Sequence, residues 1–99
     1  MEQVKVGSTH STSRRIPFSV NAPRAEKVVV TGDFTDWSRD GVPLRRASNG
    51  QWGTVLSLSP GEHQYRLIID GEWCDDPMAK KQVPNEFGGC NCVLEVRDR

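Results

Sequence analysis

Strong backbone breakers recur along this chain every ten residues or so: Asn21-Ala22-Pro23, Ser48-Asn49-Gly50, Ser59-Pro60-Gly61, Asp70-Gly71 and Pro84-Asn85. Glycine supplies positive φ, proline a fixed φ, and Asn, Asp and Ser side chains that bond their own backbone, so each cluster favours a turn. That spacing leaves little room for helices, and no window carries a helical apolar period. Between the breakers the period is two. Ile16, Phe18 and Val20 alternate with polar or proline positions, and Val28, Val30 and Phe34 mark a second strand ending near Gly32-Asp33. Trp52, Thr54, Leu56 and Leu58 share one face of a third strand, Tyr65, Leu67 and Ile69 one face of a fourth, and Cys92, Leu94 and Val96 one face of a last. A short strand over residues 42–45 also fits.

Several short strands at this spacing predict an all-β fold, an immunoglobulin-like (early-set) antiparallel β-sandwich without that fold's disulfide. The 99 residues make a single domain. Residues 1–13 are polar and lack periodicity, which predicts a flexible tail before a folded module at 14–99. The 13 basic and 13 acidic side chains cancel, and the basic ones occur in pairs at most, Arg45-Arg46 and Lys80-Lys81. A partner recognised mainly by charge, such as nucleic acid or an anionic membrane, is disfavoured. No apolar stretch reaches the roughly 20 residues that span a bilayer, and the N-terminus lacks the apolar region of a signal peptide. The three cysteines, an odd number for a secreted disulfide scaffold, point to reduced thiols and a cytoplasmic setting.

Residues 74–91 stand apart, with Pro77, Pro84, Gly88 and Gly89 and few apolar anchors. A structureless loop of that length is more often a binding loop than filler. It follows directly on Trp73, which stands just past the Asp70-Gly71 hairpin signal. Trp37 also falls past a strand end, in GDFTDWS. Alternation turns Gln64, Arg66 and Ile68 of the fourth strand, and Asn91, Val93 and Glu95 of the last, away from the core. If those two strands share a sheet, Trp37, Trp73, Arg66 and Asn91 meet on one surface.

Two exposed indoles with a guanidinium and an amide suit a sugar. The C–H face of a pyranose stacks on an aromatic plane, and its hydroxyl rim takes hydrogen bonds from planar side chains. Other roles stand beside this one. Trp52, on the inward alternation, reads as packing. Position alone leaves Trp37 and Trp73 equally able to plug an end of the sandwich, Arg66 to be a solvated arginine, and Asn91 to serve a turn or strand edge.

The stretches VVVTGDFTDWS, GQWGTVLSLSPGEHQYRLIIDGEWCDDP and FGGCNCVLEV resemble carbohydrate-binding module family 48. That family includes the glycogen-binding domain of the AMP-activated protein kinase β subunit and the N-terminal domains of isoamylase and branching enzymes. The resemblance covers about residues 16–96, through the ordered series G-x-F-x-x-W, P-G-E-x-x-Y, D-G-x-W and D-P. It implies that Trp37 and Trp73 are stacking platforms for α-1,4-glucan. It also implies that Arg66, where the kinase subunit has lysine, contacts the sugar, that Phe87 reaches over it from the loop, and that Asn91 bonds its hydroxyls. The implied function is non-catalytic binding of glycogen, starch-type glucan or maltooligosaccharides, tethering an attached enzyme or a kinase-type partner to the polymer.

Other chemistry is weaker. Cys90-x-Cys92 with Cys74 and His63 fits no common zinc spacing, so neither metal nor cofactor is expected, and a Cys74–Cys90 disulfide is the alternative to three free thiols. A glycoside hydrolase needs two carboxylates straddling the scissile bond. Asp33, Asp36, Asp40, Asp70, Asp75 and Asp76 are all turn residues with no second domain to form a cleft, so the chain is read as no enzyme. Two rival functions remain. One is an accessory domain of a glycoside hydrolase family 13 enzyme with little sugar affinity of its own. The other is a module that pairs a sheet edge with a partner's strand.

Overall fold

The alternating runs become strands in the computed structural model, which describes residues 13–97. Apart from Ser13, the expected tail lies outside the described residues, as do positions 98 and 99 of the expected module. In chain order the strands are β1 (Arg14–Asn21), β2 (Val28–Gly32), β3 (Val42–Pro43), β4 (Arg45–Arg46), β5 (Gln51–Leu58), β6 (Gly61–Ile69), β7 (Glu72–Cys74), β8 (Lys81–Pro84) and β9 (Cys90–Val96). They form two antiparallel sheets. The larger runs β3-β2-β6-β9-β8, with β7 also paired to β6, and the smaller runs β1-β5-β4. The fold is an antiparallel β-sandwich.

Period-two side chains fill the space between the sheets. Phe18, Val20, Trp52, Leu56 and Leu58 come from the smaller sheet, and Val28, Val30, Tyr65, Leu67, Cys92 and Val96 from the larger; all are buried. Phe18 and Tyr65 meet edge to face across the sandwich, ring centroids 5.4 Å apart at 89°, the arrangement that aromatic quadrupoles favour. The Tyr65 hydroxyl donates to the buried Asp76 carboxylate at 2.7 Å, which also accepts the Met78 N–H at 2.9 Å. Burial, reinforced by this bond, raises the phenol pKa well above its ordinary value. The pair pins the chain beyond β7 onto the sheet. Burial likewise pushes up the Cys92 thiol, and none of the three cysteines is paired.

Four expectations need correction. Phe34 is not in a strand: β2 stops at Gly32, and Phe34 lies in a 3-10 turn, Asp33–Thr35. The short strand expected over residues 42–45 is two, on opposite sheets. Val42 pairs with Val30, Arg45 with Gly53, and buried Leu44 marks the crossing. Residues 74–91 are not structureless, because β8 pairs with β9 from Cys90↔Pro84 to Val93↔Lys81. Finally, the outward set is not wholly exposed. Val29, Ile68 and Val93 are buried on the outer face of the larger sheet. The chain after Trp37 folds over this face, so closely that a Cβ on Gly41 would come 2.6 Å from Val29 Cγ1.

Candidate functional site

The site grows from a split sheet edge. One edge of β6 carries β2 along Tyr65–Ile69 pairings. The other edge is shared end to end: β9 covers it from Gly61 to Tyr65, and β7 from Leu67 to Ile69. Arg66 falls at the break. The chain therefore leaves the edge of β6 after Cys74 and comes back to it with β9, on the other side of the same residue.

Trp73 is set by a two-residue turn. Asp70 and Gly71 both have positive φ, 51° and 87°, the signature of a type I′ hairpin matched to strand twist. The Asp70 carboxylate accepts the backbone N–H groups of Glu26 and Lys27, each at 2.9 Å, tying the turn to the start of β2. Trp73 pairs with Ile68, so its ring emerges on the outer face, two residues along from Arg66. It is 38% exposed. The Arg66 and Arg39 guanidinium carbons lie 5.9 and 5.8 Å from the ring centroid, within cation–π range. Arg39 also donates to the Gly71 carbonyl at 3.0 Å.

Trp37 is set by a strained turn. Asp36 and Trp37 take left-handed φ of 54° and 58° in succession, a conformation costly for residues with a Cβ. The surroundings hold it there. Trp37 N–H bonds the Gly32 carbonyl at 2.9 Å, the Thr35 hydroxyl bonds Gly32 twice at 3.0 Å, and buried Thr31 donates to the Ser38 carbonyl at 2.6 Å. Asp33 accepts the Gln64 N–H at 3.0 Å, docking the turn on β6. Gly32 is needed because a Cβ there would collide with the Gln64 carbonyl oxygen.

Arg66 bonds Asp75 at 3.1 Å through one terminal nitrogen, while its Nε is buried with no hydrogen-bond partner. Asn91 on β9 donates to Gln64 Oε1 at 3.0 Å and accepts from Asn85 Nδ2 at 3.1 Å. Phe87, on the turn between β8 and β9, is 90% exposed. All five residues singled out from the sequence line one groove of about 760 Å³, and Gln64, Asn85 and Glu86 complete its wall. Trp73 and Phe87 are exposed there, whereas Trp37 is half-buried.

The groove thus offers apolar planes beside directional donors and acceptors. Gln64 is legible in the sequence, since it shares the outward set with Arg66; the sequence marks Asn85 only as a turn residue, and nothing local marks Glu86. The zinc arrangement does not form. His63 bonds the Ser59 carbonyl at 2.8 Å and approaches Asp33 at 3.5 Å. Among the described residues, no group of three or more His, Cys, Asp or Glu is placed to hold a metal ion.

The family model describing the glycogen recognition site of AMP-activated protein kinase matches residues 16–99. The chain belongs to this family. That family is a carbohydrate-binding module, a recognition domain and not a catalytic one. The chain is 35% identical over 72 residues to 5'-AMP-activated protein kinase subunit beta-1 of Sus scrofa, covering 73% of this chain and 56% of that protein. The same subunit of Bos taurus is 36% identical over 72 residues, 73% of this chain and 25% of that protein. A 1,4-alpha-glucan branching enzyme of Salinibacter ruber is 38% identical over 96 residues, covering 90% of this chain but 15% of the enzyme. The chain therefore spans little more than half of the pig protein and a quarter or less of the other two. No helix among the described residues is long and apolar enough to cross a membrane.

Proposed function

We propose that this module binds α-1,4-linked glucan without catalysis, and that it tethers an attached enzyme or partner to glycogen or a starch-type polymer in the cytoplasm. One observation carries the reading: residues as distant in sequence as Trp37 and Asn91 converge on a single groove, with two indoles beside Arg66, Phe87 and Asn91. The similarities agree with it, one to a glycogen-recognition family and one to an enzyme of 1,4-alpha-glucan. In this reading Trp37 and Trp73 stack on sugar faces, Phe87 leans over the chain, and Arg66 and Asn91 bond hydroxyls.

If each stacked face hides ~60 Å², the gain is about 1.5 kcal/mol per indole. Two such contacts give modest affinity once the costs of association are met, so retention on a polymer comes from repeated sites. The reading is tested by titrating the isolated domain with maltoheptaose while following tryptophan fluorescence. Trp52 is buried, so a saturable change reports Trp37 and Trp73. A folded domain that shows no change at millimolar sugar would sink the proposal. It would favour the second reading, an accessory domain that covers this groove with a neighbouring enzyme domain, to which the long alignment with the branching enzyme lends support.

A further inference from the structure

The polar wall of the groove is a row of three carboxamides whose direction is fixed from one end. A carboxamide oxygen only accepts and its nitrogen only donates, so the partners decide which end is which. The Phe87 and Gly89 backbone N–H groups meet one atom of the Asn85 side chain, at 2.9 and 3.0 Å. Both are donors, so that atom is Oδ1. Asn85 Nδ2 then faces Asn91 and donates at 3.1 Å, which makes the facing Asn91 atom its oxygen. Asn91 Nδ2 in turn donates to Gln64 Oε1 at 3.0 Å. The row ends on Gln64, which lines the groove and whose Nε2 is left as the last donor group. Beside it, the buried Nε of Arg66 is a second donor with no partner.

We infer that Gln64 is a further ligand-contacting residue, donating to acceptor oxygens of a neutral polyol, and that Asn85 is the positioning residue that sets this polarity. Asn85 also bonds the Gly89 carbonyl through its own N–H at 2.9 Å. One residue thus closes the turn that carries Phe87 and orients the amides across from it. The ligand class rests on the glucan reading; the direction of the row does not.

Two near-isosteric substitutions test this. In Asn85→Asp the carboxylate still accepts from Phe87 and Gly89 but offers Asn91 a second oxygen. Asn91 must turn to donate, Gln64 must turn to donate in its place, and a carbonyl replaces the –NH2 at the groove. The row reverses. Maltoheptaose binding should weaken about tenfold, the order of one lost hydrogen bond with an acceptor left facing acceptors. By NMR, the Phe87 and Gly89 amide protons should stay protected while the Gln64 carboxamide protons become newly protected. In Gln64→Glu, which keeps the acceptor for Asn91 and removes only the groove donors, binding should weaken several-fold with the melting curve unchanged. Unchanged Gln64 exchange in Asn85→Asp would overturn the row, and wild-type affinity in Gln64→Glu would overturn the ligand contact. Should the wild-type domain fail to bind maltoheptaose, the glucan reading falls, while the carboxamide exchange still decides whether Asn85 sets the direction.

Discussion

Trp52 and Trp73 are the same residue on strands of the same small domain, and each has an arginine over its ring. Their situations are otherwise opposite. Trp52 is 6% exposed, its indole N–H donates to the Ala22 carbonyl at 3.0 Å, and Arg46, 5.0 Å from the ring centroid, bonds the Ala25 carbonyl. The arginine there acts as a lid. Trp73 is 38% exposed, and its arginines belong to an open groove. The difference is strand parity: Trp52 shares its face with Leu56 and Leu58, whereas Trp73 shares its face with Ile68 and Arg66. A shift of one residue along a strand exchanges the two fates.

The contrast is most easily broken at its inner end. Trp52→Ala should cost about 3–5 kcal/mol of stability through lost burial and an unfilled cavity. A calorimetric midpoint within a few degrees of wild type would show that Trp52 is no more a core residue than Trp73. Tyr65 gives the next effect. Tyr65→Phe leaves the buried Asp76 carboxylate short of its hydroxyl partner and should cost about 1–3 kcal/mol. The same bond has a signed pH dependence. The folded phenol holds its proton more tightly than the unfolded one, so its contribution is complete below the unfolded value of about 10 and is lost as pH rises beyond it. Since Tyr65 is the chain's single tyrosine, tyrosinate absorbance should stay absent past pH 10 and appear together with unfolding; an ordinary titration in the folded state would contradict the burial. The smallest effects on folding belong to the groove. Trp73→Ala should weaken maltoheptaose binding about tenfold, or about 1.4 kcal/mol, and move stability by under about 0.5 kcal/mol. Phe87→Ala should cost less, because so exposed a side chain loses rotamer freedom on binding. Paired titrations and melts sharpen the contrast; a Trp73→Ala domain that unfolds would erase it.

Much of this was readable beforehand because parity is written in adjacent residues. Alternation placed Trp52, Tyr65 and Cys92 inward and Arg66 and Asn91 outward. The Asp70-Gly71 dipeptide announced its turn. What escaped depends on partners far along the chain. Strand β8 is Lys-Gln-Val-Pro, with only Val83 half-buried; it is a strand because β9 pairs with it, so no apolar period betrays it. Val29, Ile68 and Val93 lie on the outward parity yet are buried, and at Val29 the chain after Trp37 is what covers that face. The Gln64–Asn91 bond spans 27 residues, and Asn85 looked like any other turn asparagine until its four hydrogen bonds were visible.

The split edge of β6 has a consequence for how such a site is inherited. Strands β7 and β9 each pair with that edge on their own, so each takes a register against β6. Changes between Cys74 and Cys90 that spare Asp76, bonded to Tyr65, and Asn85, bonded to Asn91, can redraw the roof of the groove while the indole on β7 and the amide on β9 keep their places. A lineage can try new specificities in that stretch without relearning how to fold.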